Sequence, residues 1–369
     1  MAGEVSADNH GAALMRALRA LNPELKFVGR GGPQMQRVAG PGFKNWIGDA
    51  AVLGLWEVLR KYGYFREQFR QTLNEIQESE PDAVVLIDYP GFNLRLARAL
   101  RKQSRSRKTI YYISPQVWAW NRGRVKKMAR FIDLVLCIFP FETDLYAASG
   151  LRAVFVGHPM IERLETQKTD VQRDQNLIGL FPGSRSREVR KIFPVMIQTA
   201  RGLLESNPTL RFQVAAASEE LAREMNEQVM ARHAIEIVVG QTATIMQRAY
   251  VGLVASGSAT LEAAYFGMPF VLIYKVAWPT YVAGRLVVDV DFLGMPNLLA
   301  GKEVVPEFIQ HRAKPNFILK DVQLLMEDSP ARDRMISDFD SIISNLGGTG
   351  ASAKAAQAIL EELEDAHAS

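Results

Sequence analysis

The stretch VGLVASGSATLEAAYFGMPFVLIY, residues 251–274, contains the pattern that decides the fold. Residues 251–254 and 270–274 are apolar and mostly aliphatic or aromatic, as buried strands are. Between them, small and hydroxyl-bearing residues open a helical segment. Two strands joined through a helix are typical of parallel sheets, in which ligands bind beyond the carboxyl ends of the strands.

The same alternation of strands and amphipathic helices continues on both sides of this stretch. It occurs twice, and a polar stretch over residues 162–175 separates the two halves. We therefore predict an α/β protein with two doubly wound, Rossmann-like domains facing each other across a cleft. The other predicted strands are residues 26–28, 83–87, 109–113, 134–138 and 153–156 in the first half, and 177–181, 211–215 and 235–239 in the second. The predicted domains are residues 1–160 and 161–345, and residues 346–369 form a C-terminal helix that packs on the first domain or on a partner subunit.

Composition narrows the class of protein. The chain of 369 residues is 48% hydrophobic and 23% charged, which is typical of a folded protein with two domains. Its single cysteine, Cys137, excludes a disulfide framework and indicates a reducing compartment. The sequence contains no uncharged apolar run of 18 residues, so any membrane contact is expected to be peripheral. Between Arg95 and Arg130 the chain carries many basic and no acidic residues, which suits an anionic membrane surface, a phosphorylated substrate or nucleic acid.

The amino terminus begins in the turn that normally follows a first strand. Residues 1–8, MAGEVSAD, lead directly into a helical pattern through Leu14, Leu18 and Leu21. The apolar strand that should precede this turn is missing, and we expect a sheet with an unfilled position. A misassigned start and a fragment are both open explanations, and the first is the better one.

Two loops in the second half are suited to a nucleotide diphosphate. Each follows a predicted strand and opens a helix, whose exposed N–H groups favour anions. An alternative for each loop is an ordinary helix cap. Neither matches a Walker or dinucleotide fingerprint, which disfavours an NTPase or a dehydrogenase. The candidate residues are Ser184, Arg185 and Glu188 in the first loop, and Ser256, Gly257, Ser258, Ala259, Thr260 and Glu262 in the second.

Asp88 is the candidate general base. It ends the strand 83–87, where a carboxylate would point into the cleft and accept a proton from a sugar hydroxyl. Its alternative role is to cap the next turn. Trp118 follows the next strand and can line the cleft, although core packing explains it equally well. His158 is the one histidine in a loop expected to face the cleft, and the five scattered histidines predict no metal site.

A helical pattern with basic flanks precedes these motifs. Its apolar stripe can lie in a membrane interface or hold acyl chains, and a helix facing the core is the alternative. The stripe consists of Val52, Leu55, Trp56, Leu59 and Tyr62.

Taken together, these segments resemble the lipid-A-disaccharide synthase family, glycosyltransferases of the two-domain GT-B type. The matching stretches occur in order over nearly the whole chain. They are GEVSAD (3–8), GRGGPQM (29–35), GLWEVL (54–59), DYPGFN (88–93), SPQVWAW (114–120), FPFE (139–142), GHP (157–159), PGSRSREV (182–189), ASGSATLE (255–262) and PNLLAG (296–301).

The resemblance implies a reaction and its participants. A UDP-2,3-diacylglucosamine donor and a 2,3-diacylglucosamine 1-phosphate acceptor give a β-1,6-linked disaccharide and UDP, with inversion and without a cofactor or metal. It implies Asp88 as base, Arg185 and Glu262 at the nucleotide, and Asn297 reaching the donor. It also implies a homodimer, cytoplasmic and attached peripherally to the inner face of the bacterial inner membrane. The residues expected on the acceptor side are Gly3, Glu4, Ser6, Asp8, Asn93, Ser114, Trp118 and His158.

Two positions depart from the family pattern, and three other functions stay open. Ala7 replaces a usual glycine, which would matter if that position needs a positive φ. Gly91 replaces a second aspartate of some members, which narrows the base to Asp88 or, as weaker candidates, Glu4 or Asp8. The alternatives are another GT-B enzyme (a peptidoglycan N-acetylglucosaminyl transferase or a UDP-N-acetylglucosamine epimerase), a truncated lipid or nucleotide binder, and, weakest, a nucleic-acid binder, because no reading motif accompanies the basic residues.

Overall fold

The computed structural model divides the chain into two compact units. One contains Met1–Pro159 together with Leu346–Ser369, and the other contains Met160–Asn345. The structure describes residues 1–50, 62–104, 106–120, 123–229, 234–278, 281–282 and 290–368. The predicted membrane residues Val52, Leu55, Trp56 and Leu59 lie outside this range, and Tyr62 is the first residue of a helix.

The first unit is built on a parallel sheet. Its four long strands lie in chain order and all pair in parallel, while a short parallel pair precedes them in the chain. These strands are β1 (Arg30–Gly31), β2 (Lys44–Asn45), β3 (Ala83–Ile87), β4 (Lys108–Tyr112), β5 (Leu134–Cys137) and β6 (Arg152–Phe155). The helices of the same part are α1 (Val5–Leu21), α2 (Pro33–Ala39), α3 (Ile47–Ala50), α4 (Tyr62–Ser79), α5 (Pro90–Gln103), α6 (Val117–Trp120), α7 (Gly123–Met128) and α8 (Phe141–Ala147).

The first two residues occupy the end of a central strand position. Ala2 forms a parallel bridge with Ile87 of β3, and its N–H donates to Arg30 O of β1 at 3.0 Å. The Met1 amine donates to Val85 O at 2.8 Å, and burial lowers its pKa to about 5. Beyond Met1, a cavity of about 410 Å³ separates β1 from β3. Its lining is largely apolar and includes Leu14, Leu18, Phe27, Phe43, Ile76 and Val85.

This cavity also explains a wrong prediction. Residues 26–28 were expected to form a strand, but they line the cavity and are not part of a described strand. A strand needs a hydrogen-bonded neighbour, and at this position the space next to the chain is empty. Only Arg30–Gly31, which pairs with β2, is a strand here. The described residues thus leave a cavity beside the bridge between Ala2 and Ile87.

The second unit has a six-stranded parallel sheet in the order β12-β11-β10-β7-β8-β9. Every residue of β10 is buried, as the aliphatic run predicted. The strands are β7 (Asp174–Phe181), β8 (Arg211–Ala216), β9 (Ile235–Val239), β10 (Ala249–Ala255), β11 (Phe270–Tyr274) and β12 (Glu307–Ile309). The helices are α9 (Pro159–Glu165), α10 (Ser186–Ser206), α11 (Glu219–Asn226), α12 (Thr242–Arg248), α13 (Ser258–Tyr265), α14 (Met295–Ala300), α15 (Pro315–Met326) and α16 (Pro330–Asn345).

The last helix, α17 (Ala351–Ala368), belongs to the first unit, where it packs on α1 and β4. Its Glu362 is buried and accepts from Lys108 at 2.7 Å and from Arg152 at 2.8 Å. The polar stretch 162–175, expected to separate the two halves, contains the end of α9, a loop over residues 166–173 and the first two residues of β7.

Candidate functional site

In each unit there is one point at which the chain adds successive strands on opposite sides of an earlier one. The candidate loops lie near these points. In the second unit the chain builds β7, β8 and β9 to one side and then returns to place β10 on the other side of β7. In the first unit the position of Met1 and Ala2 has β1 on one side and β3 on the other. Parallel sheets bind ligands at such switch points, beyond the carboxyl ends of the strands.

The switch point of the second unit brings both predicted phosphate loops together. Val254 of β10 pairs with Phe181 of β7, so the loops after these strands start side by side. A Cβ built on Gly183 would lie 3.8 Å from the Cβ of Ala255. Gly183 and Gly257 have φ of 103° and 149°, a region open chiefly to glycine. The loops thus present the starts of α10 and α13 at one edge of the sheet.

The charged side chains at this edge are paired with each other. Arg185 is largely exposed and donates to Glu188 Oε1 at 3.0 Å. Glu262 accepts from Arg163 of α9 at 2.8 Å. Burial and the charge of Glu188 raise the pKa of Tyr274, at the end of the neighbouring β11. Arg163 was not predicted, because only the fold brings α9 beside α13.

Several predicted nucleotide contacts have structural roles instead. Thr260 is fully buried, and both its N–H and its hydroxyl donate to Gly257 O. Asn297 is also fully buried: its amide donates to Val305 O and Glu307, and its Oδ1 accepts from the N–H groups of residues 304 and 305. The side chains of Thr260 and Asn297 therefore shape the loops rather than face a ligand. Ser184 and Ser258 are exposed, Ala259 is half-buried, and Ser256 donates weakly to Leu293 O at 3.4 Å.

In the first unit, the backbone of Asp88 is tightly held. Asp88 and Tyr89 adopt φ of 47° and 51°, which is unfavourable for residues with a Cβ. The carbonyl of Asp88 accepts from Asn93 Nδ2 at 2.7 Å and from Tyr111 Oη at 2.6 Å. The half-buried carboxyl of Asp88 has a raised pKa, because burial and the nearby charge of Glu4 both disfavour its ionised form.

The residues predicted on the acceptor side divide into two groups. Gly3 is buried and needs to be glycine, since a Cβ there would lie 2.4 Å from the ring of Tyr89. Glu4 and Ser6 are exposed at the start of α1. Asn93 is fully buried and holds the Asp88 backbone, so it acts indirectly.

The predictions for Asp8 and Ala7 are corrected by the structure. Asp8 is 2% exposed, and its carboxylate accepts from the N–H groups of Gly32, Gln34 and Met35, all at 2.9 Å. Its carboxylate therefore anchors the start of α2 and does not face the solvent. Ala7 lies inside α1 with helical geometry and does not have a positive φ, so replacing glycine there costs no strain.

Ser114, Trp118 and His158 lie at the same sheet edge. Ser114 and Trp118 both donate to Glu142, which was part of a recognised motif but was not predicted as a site residue. The ring of His158 lies 5.3 Å from that of Phe139 between centroids. No cluster of potential metal ligands occurs within the described residues.

Two doubly wound α/β units, each with loops at a switch point of its sheet, are typical of enzymes of the GT-B type. Two solved UDP-N-acetylglucosamine 2-epimerases share this fold. The one from Neisseria meningitidis, bound to UDP-GlcNAc, has a TM-score of 0.62 at 13% identity and covers 97% of each chain. The putative one from Listeria monocytogenes has a TM-score of 0.61 at 14% identity, covering 99% of this chain and 94% of that one.

Sequence comparison identifies the family. The family described as lipid-A-disaccharide synthetase matches residues 1–361, and the chain belongs to it. The lipid-A-disaccharide synthase of Geobacter sulfurreducens is 37% identical over 98% of this chain and 96% of its own, and that of Persephonella marina is 34% identical over 97% of both. The predicted family and the α/β fold class are confirmed, and the protein is a glycosyltransferase of lipid A biosynthesis.

Proposed function

We propose that this enzyme transfers 2,3-diacylglucosamine from UDP to the 6-hydroxyl of 2,3-diacylglucosamine 1-phosphate, with inversion at C1. The observation that carries this proposal is the state of Asp88. Its backbone is fixed at the switch point, and burial and the charge of Glu4 raise its pKa above the usual value of an aspartate. A base is most effective when its pKa lies near the working pH.

In the proposed reaction, Asp88 takes the proton of the acceptor hydroxyl as that oxygen bonds to C1 of the donor sugar. The bond from C1 to the UDP oxygen breaks in the same displacement, and the electron pair leaves with UDP. One general base contributes about 10²–10⁴-fold to such a step.

The leaving diphosphate is assigned to the loops of the second unit. The N–H groups at the start of α13 carry partial positive charge, and Arg185 adds a full charge beside them. Glu262 suits the ribose hydroxyls, with Arg163 released from it on binding. Arg185 likewise exchanges its exposed contact with Glu188 for phosphate, which costs little because exposed ion pairs are weak.

Because the substrates carry acyl chains, we propose that the enzyme acts peripherally at the inner membrane. From the family resemblance we also propose that it acts as a dimer. No described helix is long and apolar enough to cross a bilayer. The basic residues of α5 and α7 that are exposed suit anionic lipid headgroups. They are Arg95, Arg98, Lys102, Lys126 and Lys127, followed by Arg130.

The direct test is incubation with UDP-2,3-diacylglucosamine and 2,3-diacylglucosamine 1-phosphate. We expect stoichiometric UDP release and a disaccharide 1-phosphate of the summed mass in mass spectrometry. Omitting the acceptor controls for donor hydrolysis. UDP released equally without acceptor, or no disaccharide with both substrates present, contradicts the proposal.

A further inference from the structure

Glu142 is a fully buried carboxyl at the edge of the first sheet. It lies in the first turn of α8, directly after β5, and has no solvent exposure. Burial raises its pKa to about 7 in spite of its hydrogen bonds, so its ionised form is held at a cost. Two titratable groups lie near it, Cys137 of β5 and Tyr146 of α8. Burial raises the pKa of each, and so does the charge of Glu142.

The carboxyl of Glu142 joins the loops after two neighbouring strands. Its Oε1 accepts from Ser114 Oγ at 2.9 Å and from Trp118 Nε1 at 3.2 Å, in the loop after β4. Its Oε2 accepts from the N–H groups of Ile138 and Phe139, both at 3.2 Å, after β5. Four donors converge on two oxygens, which only a carboxyl group can accept together.

The loop held by Glu142 begins with a strained residue. Ile113, immediately before Ser114, has a φ of 60°. A β-branched residue rarely adopts this conformation, which persists only where the surroundings enforce it and which is concentrated at functional sites. The hydrogen bond between Ser114 and Glu142 is one such constraint. Asp88, at the end of the adjacent strand, has the same kind of strained backbone.

The same loop positions an aromatic cluster, which consists of Trp118, Phe139, Phe141 and His158. The indole of Trp118 meets the rings of Phe139 and Phe141 edge-on, at 6.4 and 5.4 Å between centroids. Phe141 is 37% exposed, so the cluster has a solvent-accessible face. Aromatic faces of this kind contact the C–H groups of sugars and acyl chains.

We propose that Glu142 is a positioning residue for the acceptor: it fixes Trp118 so that the aromatic cluster contacts the acceptor glucosamine while Asp88 receives its proton. The inference rests on the proposed function and deepens it. The donor loops lie in the second unit, so Glu142 affects acceptor binding and leaves UDP binding unchanged.

Glu142→Gln tests this inference with little change of shape. Wherever the amide nitrogen of glutamine lies, it faces either the N–H of Trp118 or the two backbone N–H groups, so at least one hydrogen bond is lost. We expect an acceptor KM and an acceptor Kd raised several-fold, with about tenfold as the upper value set by the free energy of one hydrogen bond, and the donor KM and UDP affinity unchanged. Thr143→Ala is the matched control, since the exposed Thr143 hydroxyl bonds only to Pro140 O within the same turn.

Trp118→Phe keeps an aromatic ring but removes the indole donor. We expect it to raise the acceptor Kd several-fold, and to add little when combined with Glu142→Gln, because both changes remove the same bond. If Glu142→Gln does not fold, Trp118→Phe alone still decides the matter. Equal losses for donor and acceptor, or an unchanged acceptor Kd, overturn the inference. Calorimetry of acceptor binding decides it even if the wild-type protein forms no disaccharide, which would count against the proposed function alone.

Discussion

At the scale of single residues, the carboxyl groups of the first unit show how environment assigns roles. Asp8 is satisfied by three backbone N–H groups and stabilises α2, whereas the pKa of Asp88 is raised by burial and by Glu4. Glu142 accepts four hydrogen bonds and holds two loops together. The same functional group therefore anchors a helix at Asp8, is the proposed base at Asp88 and joins two loops at Glu142.

Replacing Asp88 removes the proposed base with almost no change in shape. We expect Asp88→Asn to lower kcat by at least about 10²-fold, because the amide cannot accept the acceptor proton. UDP affinity, measured by calorimetry, is expected to stay at the wild-type value. A variant that retains near-wild-type kcat would remove Asp88 from the mechanism.

The pH dependence of the rate tests the electrostatic link between Glu4 and Asp88. The base acts in its ionised form, so its raised pKa moves the acid limb of the kcat/KM profile toward neutral pH. Removing the charge with Glu4→Gln lowers the pKa of Asp88 and should shift that limb to lower pH. Ser6→Ala, also exposed at the start of α1, is the control. If the two variants have coincident acid limbs, the link is absent.

At the scale of elements, the starts of α10 and α13 form the proposed donor site through backbone geometry more than through side chains. Gly183 and Gly257 provide the positive φ values, and the pairing of β7 with β10 provides their proximity. The side chain of Thr260 also acts on the backbone, because its hydroxyl donates to Gly257 O and so closes the turn at the start of α13.

Among the side chains at this site, we expect the loss of Arg185 to raise the Kd of UDP most. Arg185→Ala removes charge-assisted hydrogen bonds to phosphate, so we expect the Kd of UDP to rise about 10- to 100-fold. The matched control is Arg190→Ala on the same helix, because Arg190 is exposed and paired with Glu224 of α11. Equal UDP affinities for the two variants in calorimetry would contradict the assignment.

How far the sequence predicts this molecule differs between elements and contacts. The run of aliphatic residues in β10 and the small residues after it predict a strand, a turn and a helix, because burial and backbone geometry are local properties. The role of Asn297 was not predictable, since its partners Val305 and Glu307 are brought to it by the turn that follows α14. Glu142 was missed although its motif was recognised: an acidic residue after Phe139-Pro140-Phe141 signals a buried carboxyl only when the donors around it are known.

At the scale of the whole molecule, the chain leaves the first unit after Pro159 and returns with α17, so both ends of the sequence stabilise the same sheet. Glu362 of α17 is paired with Lys108 and Arg152 on β4 and β6. The first unit therefore depends on residues that follow the second unit in the sequence, and its folding cannot be complete before the second unit has been synthesised.

The distribution of charge predicts that the protein binds anionic membranes electrostatically. We expect binding to vesicles with anionic lipid at low salt, weakened as salt screens the attraction. Reversing two exposed charges of α7 with Lys126→Glu and Lys127→Glu should weaken this binding in a sedimentation assay. The control with the same change of net charge is Lys314→Glu with Lys320→Glu in the second unit. Equal binding to neutral and anionic vesicles would contradict the electrostatic contribution.

The cavity beyond Met1 offers a way to strengthen the protein. A chain extended at its amino terminus by about five apolar, β-branched residues spans roughly 16 Å, the length of a strand such as β3. We expect this added strand to bury apolar surface, pair with the edge of β3 and raise the free energy of unfolding in denaturant titrations. Equal stabilities would contradict it, and a polar extension of the same length is the control.

In a chain that starts at Met1, the buried amine also makes the free energy of unfolding depend on pH. Its pKa is about 5 when folded and 8 when exposed, so the unfolded chain binds more protons between these values. Acidification from pH 8 to 5 therefore weakens the fold, by as much as about 4 kcal/mol. In the extended chain an uncharged peptide group replaces the amine, and this sensitivity disappears. One ionisable nitrogen beside the cavity thus makes the stability of the first sheet depend on the pH of the solution.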